Sequence, residues 1–462
     1  GGKEYMQFKV WQAVRKYLRY VKEKHIIRPM EYRRYDTLDE IYNEEHTYLK
    51  GGAVLHMLRW ILGDQDFFRS LSYYLHKHEF SNVESSDLQI AIEEATGKNL
   101  SWFFDQWVYG AGHPRFEVSY RYHQDRKALD LTVNQTQPLV EGQGIFKLPV
   151  EVRIDTNSKT VCDTVWVENK TDHFTFSIDE KPRMVSFDGH GMLVCELVFD
   201  KKIAELTYQV QHDALPGRLW ALRQLVRNYP GSPATLEAIR TVLVGVGSWW
   251  LKAEAALQLG NIHSLTGEQL LIDQLKANDY HVRKAAVIAL GSHYTVTASS
   301  ALRRAVESDP QTDVASAAIV SLATVDSSLA PSFLRVQMSR QSWYEELRIA
   351  SLKAVEILAS EKFVPLVKEY ASLEHKMAVR EQALIAWAAC APSDPALTDA
   401  LIASARSEIL HVRKKAIELL GRLKPERALP ALIELSRRDG DGDIRKGAED
   451  AAEEIQSLAR RR

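Results

Sequence analysis

A tyrosine followed by a lysine and two glycines is the strongest candidate for chemistry in this chain. Tyr48 stands two residues before Lys50, and Gly51 and Gly52 come next. The glycines would let the backbone approach a neighbouring group closely. Apolar residues then recur at helical spacing and predict an inward-facing stripe of Val54, Leu58 and Ile61. A stripe packed inward would hold Tyr48 at the edge of a rigid element, where a phenol can point at a reacting atom.

The residue type alone leaves a second interpretation open. Many tyrosines are half-buried aromatic residues whose ring packs on the core while the hydroxyl reaches water. On the stretch around Tyr48 alone, the sequence favours this structural interpretation over a catalytic one.

A longer series of motifs surrounds this tyrosine. In chain order it comprises Arg28-Pro29, the run from Tyr48 to Arg59, Leu62-Gly63-Asp64, the run from Phe103 to Val108, and Gly112-His113-Pro114. The series resembles the second half of the catalytic domain of the M1 zinc aminopeptidases, a gluzincin family that includes aminopeptidase N. The family pattern is Tyr-x-Lys-Gly-Ala, a Leu-Gly-Asp turn, and a Phe-Phe-x-Gln-Trp helix ending in Gly-x-Pro. The order and spacing make the resemblance specific, and it is strongest over residues 25–115.

The resemblance implies a role for Tyr48. It matches the family tyrosine that stabilises the tetrahedral intermediate, and a phenol donor near ~3 Å from a developing oxyanion suits that task. Gly52 stands where the family usually has alanine, which is a small departure that leaves the tyrosine in place.

The family's zinc site is missing from this sequence. It is an H-E-x-x-H helix, whose two histidines share a face and whose glutamate acts as general base. Neither this motif nor the family's G-x-M-E-N motif occurs here. In the family both lie upstream of the tyrosine, so the resemblance implies a zinc cofactor with ligands upstream and a chain that is a C-terminal portion. Glu44, Glu45 and His46 precede Tyr48, and we expect them at the substrate rim or behind the ligands rather than on a separate metal.

Composition excludes several classes of function. The 462 residues carry 59 basic and 61 acidic side chains, and the formal net charge of -2 does not favour nucleic acid or an anionic membrane. No run of about 18 apolar residues predicts a membrane span, and the N-terminus has no signal-peptide pattern. The cysteines Cys162, Cys195 and Cys390 fit neither a disulfide framework nor a thiolate metal site, although a bridge between the first two stays open.

The pattern of apolar residues predicts a multidomain, mainly α chain with one β-sandwich. Residues 1–112 would be the helical part of a catalytic domain, with a first helix at 4–24 and a capping box at Ser86 to Gln89. Trp102 to Val108 would form a buried aromatic cluster. Residues 113–202 alternate between apolar and polar types over about seven short strands, which is typical of a β-sandwich.

Residues 203–462 repeat with a constant period. Similar helices open every 32 or 33 residues at an apolar residue that is usually followed by a basic one. These steps are Val282-Arg283, Val314-Ala315, Leu347-Arg348, Val379-Arg380, Val412-Arg413 and Ile444-Arg445. This period predicts an α-solenoid of HEAT-like repeats. The basic residues could form a ligand-binding ladder, or they could satisfy carbonyls and acids of the neighbouring repeat.

The expected function follows from the resemblance. It implies hydrolysis of N-terminal residues from peptide substrates, with Tyr48 as the catalytic residue of this chain and zinc held upstream. A non-catalytic scaffold derived from the same fold is the first alternative, because HEAT-like arrays bind protein partners. A different gluzincin activity, such as epoxide hydrolysis on a lipid, is the second.

Overall fold

The computed structural model of the protein describes residues 2–35, 41–139, 144–372 and 374–461. Over these residues the chain is mainly helical and contains two small β-sheets. It divides into two compact units, Gly1–Ala238 and Ile239–Arg462. The three-part division at residues 112 and 202 stays a prediction. Among the described residues, no helix combines the length and the apolar character needed to cross a membrane.

Up to Tyr109, the regular secondary structure of the described residues is helical. In order the helical segments are Lys3–Lys24, Glu44–Lys50, Gly51–Leu62, Asp64–Lys77, Ser85–Thr96, Ser101–Phe104 and Asp105–Tyr109. The second and the last of these are π-helical.

The first helix forms as its apolar periodicity predicts. Phe8, Val14 and Val21 are buried along one face, because residues three or four apart share a side of a helix. His25 ends the helix in a left-handed conformation with φ 57°, and its N–H donates to the carbonyl of Val21.

The predicted capping box lies two residues away from the observed one. Helix Ser85–Thr96 has Glu84 as its N-cap residue, and the Asp87 carboxylate accepts from the Glu84 N–H at 2.8 Å. The prediction from Ser86 was wrong because a glutamate side chain here closes the reciprocal pair with Asp87. The predicted end at Gly97, where φ is 70°, is confirmed.

The aromatic cluster is buried, as predicted. Trp107 is fully buried, and its ring centroid lies 4.9 Å from that of Phe146 in the β region. The Gln106 side-chain amide exchanges two hydrogen bonds with the backbone of Lys147, at 2.8 and 2.9 Å. The cluster therefore packs the helical segments against the β region.

Seven strands follow in the described residues. They are β1 Arg115–His123, β2 Ala128–Gln135, β3 Leu148–Asp155, β4 Thr160–Val167, β5 Thr171–Ser177, β6 Met184–Phe187 and β7 Glu196–Phe199. One sheet has the order β5-β2-β1-β7 and the other has the order β4-β3-β6. All pairs are antiparallel except β1 with β7, which is parallel and aligns Arg115 with Glu196.

The two sheets share one core, which confirms the predicted sandwich. Leu131 and Val133 of β2 are fully buried, as are Val150 and Val152 of β3. Alternate residues of a strand face opposite sides, so each sheet turns its apolar face inward.

Helices account for the remainder of the chain apart from its connecting loops. The α-helices are Ile203–His212, Leu215–Asn228, Pro233–Val244, Trp249–Leu259, Leu265–Gln274, Tyr280–Leu290, Val296–Ser308, Thr312–Val325, Pro331–Ser339, Glu346–Leu358, Val364–Tyr370, Met377–Cys390, Pro395–Ser404, Leu410–Leu423, Leu429–Arg438 and Gly442–Arg461. The first two lie in the first compact unit. All six predicted repeat steps fall in the first turns of one series of these helices, and neighbours in that series pack against one another. The predicted repeat array is therefore present.

The basic residues of the repeats bind their own neighbours. Arg283 forms a bidentate ion pair with Asp309 at 2.7 and 3.0 Å and also donates to the Ala277 carbonyl. Arg413, four repeat steps further along the chain, contacts Asp439 at 3.3 Å in the same way. This arrangement matches the structural interpretation of the basic residues.

The three cysteines are free. Cys162 is exposed, Cys195 is partly exposed and Cys390 is buried. The bridge between Cys162 and Cys195 that the sequence left open is not formed.

Candidate active site around Tyr48

Tyr48 lies in the π-helical turn Glu44–Lys50, directly before helix Gly51–Leu62. Its side chain is 57% exposed. A π-helical turn carries an extra residue relative to an α-helical one and is frequent at functional sites. The turn thus presents the phenol to solvent from the start of a regular helix.

The turn is tied down on its inner side. The Asn43 side chain accepts from the His46 N–H at 2.9 Å and donates to the Tyr20 hydroxyl of the first helix at 3.2 Å. The Thr47 hydroxyl donates to the Ile41 carbonyl at 3.0 Å. The first bond caps a free N–H group of the helix start, and the three bonds together fix the orientation of the turn.

The predicted stripe behind Tyr48 faces the core. Val54 and Leu58 are each 2% exposed, and Ile61 is partly buried at the edge of the same cluster. The sequence predicted that the glycines let the backbone approach a neighbouring group closely. For Gly52 this prediction was wrong, because a Cβ added there would meet no atom of the described residues within 4 Å. The family alanine would therefore fit at this position without any displacement.

His46 is fully buried, so it does not lie at a substrate rim. Its ring packs edge-on against Tyr17 and Tyr20, with centroids 5.4 and 5.7 Å away. Burial and the positive charges of Arg28 and Lys50 lower the pKa of His46 to about 4. The imidazole is therefore neutral at pH 7.

Lys50 is also fully buried, two residues after the exposed Tyr48. Its Nζ has no hydrogen-bond partner among the described residues and lies 5.8 and 5.9 Å from the ring centroids of Tyr17 and Trp107. Burial lowers the pKa of Lys50 to about 7, because an apolar surrounding disfavours the charged form. Aromatic faces offset part of that cost.

A chain of polar contacts links this region to strand β7. The Tyr17 hydroxyl lies 3.2 Å from His113 Nδ1, and His113 Nε2 lies 3.2 Å from Glu196 Oε1. Burial raises the pKa of Tyr17 well above its ordinary value, whereas contact with His113 holds the pKa of Glu196 below its usual range. The first helix, which contacts the turn of Tyr48, is thus braced against the β region.

The sequence reasoning missed the roles of Lys50, Tyr17 and His113. A signal for Lys50 was present, because Lys50, Val54 and Leu58 recur at intervals of four along the buried stripe. The contact of Tyr17 with His113 joins residues 96 positions apart, and no sequence pattern marks it.

The described residues contain no group of three or more His, Cys, Asp or Glu side chains that could hold a metal ion. Glu44 is exposed whereas His46 is buried, so the side chains of these two residues do not converge on one site. The residues present therefore do not fit a zinc ion by themselves.

Comparison with known protein families gives separate matches for the N-terminal and the C-terminal regions of the chain. Residues 3–107 match the model of the Peptidase family M1 domain, and residues 236–323 and 372–453 match HEAT repeats. The chain carries part of an M1 peptidase domain followed by HEAT repeats. The helical array continues between the two matched HEAT segments, where helix Glu346–Leu358 packs on both Thr312–Val325 and Met377–Cys390.

Several of the relatives that this chain resembles are aminopeptidases. The chain is 38% identical to Aminopeptidase N of Lactococcus lactis over 85 residues, 18% of this chain and 10% of the relative. It is 31% identical to Puromycin-sensitive aminopeptidase of Caenorhabditis elegans over 143 residues, 30% of this chain and 15% of the relative. The matched segments thus span a minor part of these relatives.

A solved structure shares the fold over most of the chain. Aminopeptidase A of Legionella pneumophila, crystallised in complex with aspartic acid, aligns with a TM-score of 0.54 and 16% identity. The alignment covers 92% of this chain and 58% of that protein. Most of this chain therefore shares its fold with part of that solved structure.

Proposed function

We propose that this chain is the C-terminal portion of a zinc metallo-aminopeptidase that removes N-terminal residues from peptides. The observation that carries the proposal is the exposed Tyr48, held on a braced π-helical turn inside the segment that matches the M1 domain. Its hydroxyl would donate a hydrogen bond to the oxyanion that develops when the peptide carbonyl is attacked.

The burial of the side chains indicates which residues hold the turn and which one could contact a substrate. His46 and Lys50 lie in the core and Tyr48 lies outside, so the inner residues orient the turn and the phenol is exposed to a substrate. Zinc would be held by the upstream segment, because the described residues do not fit it.

The test has two parts. The coding sequence upstream of Gly1 is expected to contain H-E-x-x-H in frame, and the longer protein is expected to hydrolyse an aminoacyl-anilide. An upstream sequence without the motif, together with an inactive longer protein, would contradict the proposal.

A complementary prediction concerns zinc binding and activity of the 462-residue chain by itself. We expect it to bind no stoichiometric zinc and to leave aminoacyl-anilides intact, because the described residues offer no metal-binding group. Metal analysis after dialysis measures this directly. One tightly held zinc ion per molecule would refute it.

The scaffold remains the second candidate, and the HEAT repeats favour it. It predicts that the longer protein lacks the zinc motif yet binds a protein partner through residues 236–453. The same upstream sequence distinguishes the two functions.

A further inference from the structure

A cavity of about 620 Å³ lies within the first compact unit, away from Tyr48. The first helix, strand β7 and helix Leu215–Asn228 form its walls. Small-molecule sites in proteins commonly have volumes of ~300–1,000 Å³. The cavity is therefore large enough for a small organic ligand.

Apolar side chains form much of its lining. The indole rings of Trp11 and Trp220 are half-buried, and Leu18, Leu197 and Pro216 lie along the same cavity. Indole rings and aliphatic side chains contribute large apolar contact areas. The lining thus suits a ligand with an apolar or aromatic body.

The charged side chains of the cavity are mostly positive. Five basic and two acidic residues line it. Both acids are already engaged, because the Asp188 carboxylate accepts from the backbone of Met192 and Leu193 and Glu196 contacts His113. Arg115 and Lys22 also act on the Glu196 carboxylate through their positive charges, and the five basic residues still outnumber the two acids.

Two of the basic residues are exposed at the cavity and uncommitted. Within the described part of the chain, neither Lys22 nor Arg227 forms a hydrogen bond or an ion pair. Lys22 comes from the last turn of the first helix, and Arg227 from the last turn of helix Leu215–Asn228. Both line the same cavity, and an arginine or a lysine beside apolar side chains is a favourable partner for a carboxylate.

We propose that this cavity binds a small amphipathic monocarboxylate, with its apolar body against Trp11 and Trp220 and its carboxylate at Lys22 and Arg227. The inference goes beyond the proposed peptidase function and does not depend on it, since every residue concerned and the readout belong to this chain. The two features that favour this ligand class are the apolar lining and the surplus of uncommitted positive charge.

The experiment is isothermal titration calorimetry of the 462-residue chain with 4-phenylbutyrate, its neutral amide and the cationic 4-phenylbutylamine. We expect the acid to bind at least about tenfold more tightly than the amide, because a charge-assisted hydrogen bond adds to the same apolar contact. We expect the amine to bind most weakly. Equal affinities, or no binding of the acid, would overturn the proposal.

Two matched double variants locate the site. Lys22→Gln with Arg227→Gln should weaken binding of the acid roughly tenfold or more and leave the amide unchanged. Lys16→Gln with Arg19→Gln removes two exposed charges of the first helix outside the cavity and should bind the acid as the parent does. Unchanged binding in the first variant, or equal loss in the second, counts against the site.

A further titration, with a peptide, tests whether the cavity binds the C-terminal carboxylate of a peptide instead of a small acid. Acetyl-Gly-Gly-Phe with a free C-terminus is compared with its C-terminal amide. If the free peptide binds more than about tenfold tighter than 4-phenylbutyrate, the cavity accepts a chain terminus and the small-acid proposal is wrong. Binding of the peptide no tighter than that of the acid supports it.

Discussion

Tyr48 and Lys50 are two residues apart, yet the phenol is in solvent and the ammonium is in the core. Both residues belong to the same helical segment, Glu44–Lys50, and residues two positions apart on a helix face different sides. A substitution at either residue therefore tests a different property, which is reactivity at Tyr48 and stability at Lys50.

In the longer enzyme, we expect Tyr48→Phe to lower kcat by ~10²–10³, the usual effect of losing one oxyanion donor. Binding of a substrate-like inhibitor should change much less, because the hydrogen bond strengthens mainly in the transition state. Tyr42→Phe is the matched control, since Tyr42 is 63% exposed six residues earlier. Near-normal turnover in the Tyr48 variant would show that Tyr48 is a structural residue and not an oxyanion donor.

For the chain alone, we expect Lys50→Met to stabilise the first unit at pH 7. The folded state lowers the pKa of Lys50 from 10.5 to about 7, so between these values the unfolded chain binds more protons. The lysine's contribution to the free energy of unfolding therefore rises as pH increases from about 7 to about 10.5. Methionine removes this dependence.

Calorimetry at several pH values measures the effect. The gain at pH 7 should be at least about 1 kcal/mol, which is ~2–4 °C in Tm for a unit of this size. It should shrink towards pH 10. Lys16→Met, at an exposed position of the first helix, should change the Tm little. A methionine variant that is less stable than the parent at pH 7 would show that the ammonium has a favourable partner.

At the scale of elements, the ion pairs between repeats differ sharply in burial. Arg283 and Asp309 are 11% and 8% exposed, whereas Arg335 and Glu369 are 52% and 47% exposed. Arg283→Ala would leave a buried carboxylate without its main partner, and we expect a loss of ~3–5 kcal/mol. Arg335→Ala should cost less than ~1 kcal/mol.

Urea unfolding followed by circular dichroism, with hydrogen exchange over residues 280–309, separates the two variants. Similar midpoints for both would show that the Arg283 pair contributes no more than a surface contact.

Local patterns predicted many of these elements from the sequence. The alternation in Leu129, Leu131 and Val133 and the repeat period each follow from burial of one face, which leaves a regular trace in the chain. The parallel pairing of β1 with β7 was beyond prediction, since it joins distant segments. The π-helical turn was missed as well, because an inserted residue in a helix has no reliable pattern.

At the scale of the whole molecule, the repeats raise a question about substrate length. A solenoid presents an extended surface, and we expect it to contact long peptides more than small substrates. Removing the residues after Asp200 from the longer enzyme should therefore change kcat/KM for long peptides more than for aminoacyl-anilides.

The measurement is the ratio of the two kcat/KM values before and after truncation, in a protein shown by circular dichroism to stay folded. An unchanged ratio would show that the repeats serve another purpose, such as holding a partner subunit.

The spacing of contacts along the chain sets how each unit acquires its structure. In the repeats, Arg283 reaches a residue 26 positions away and Lys284 one 29 positions away. In the first unit, His113 meets Glu196 across 83 positions. Closing a long loop costs entropy before its contacts form, so low contact order favours fast folding. The repeat array can therefore nucleate at any neighbouring pair of repeats and grow in both directions, while the β region must wait until its last strand has been synthesised.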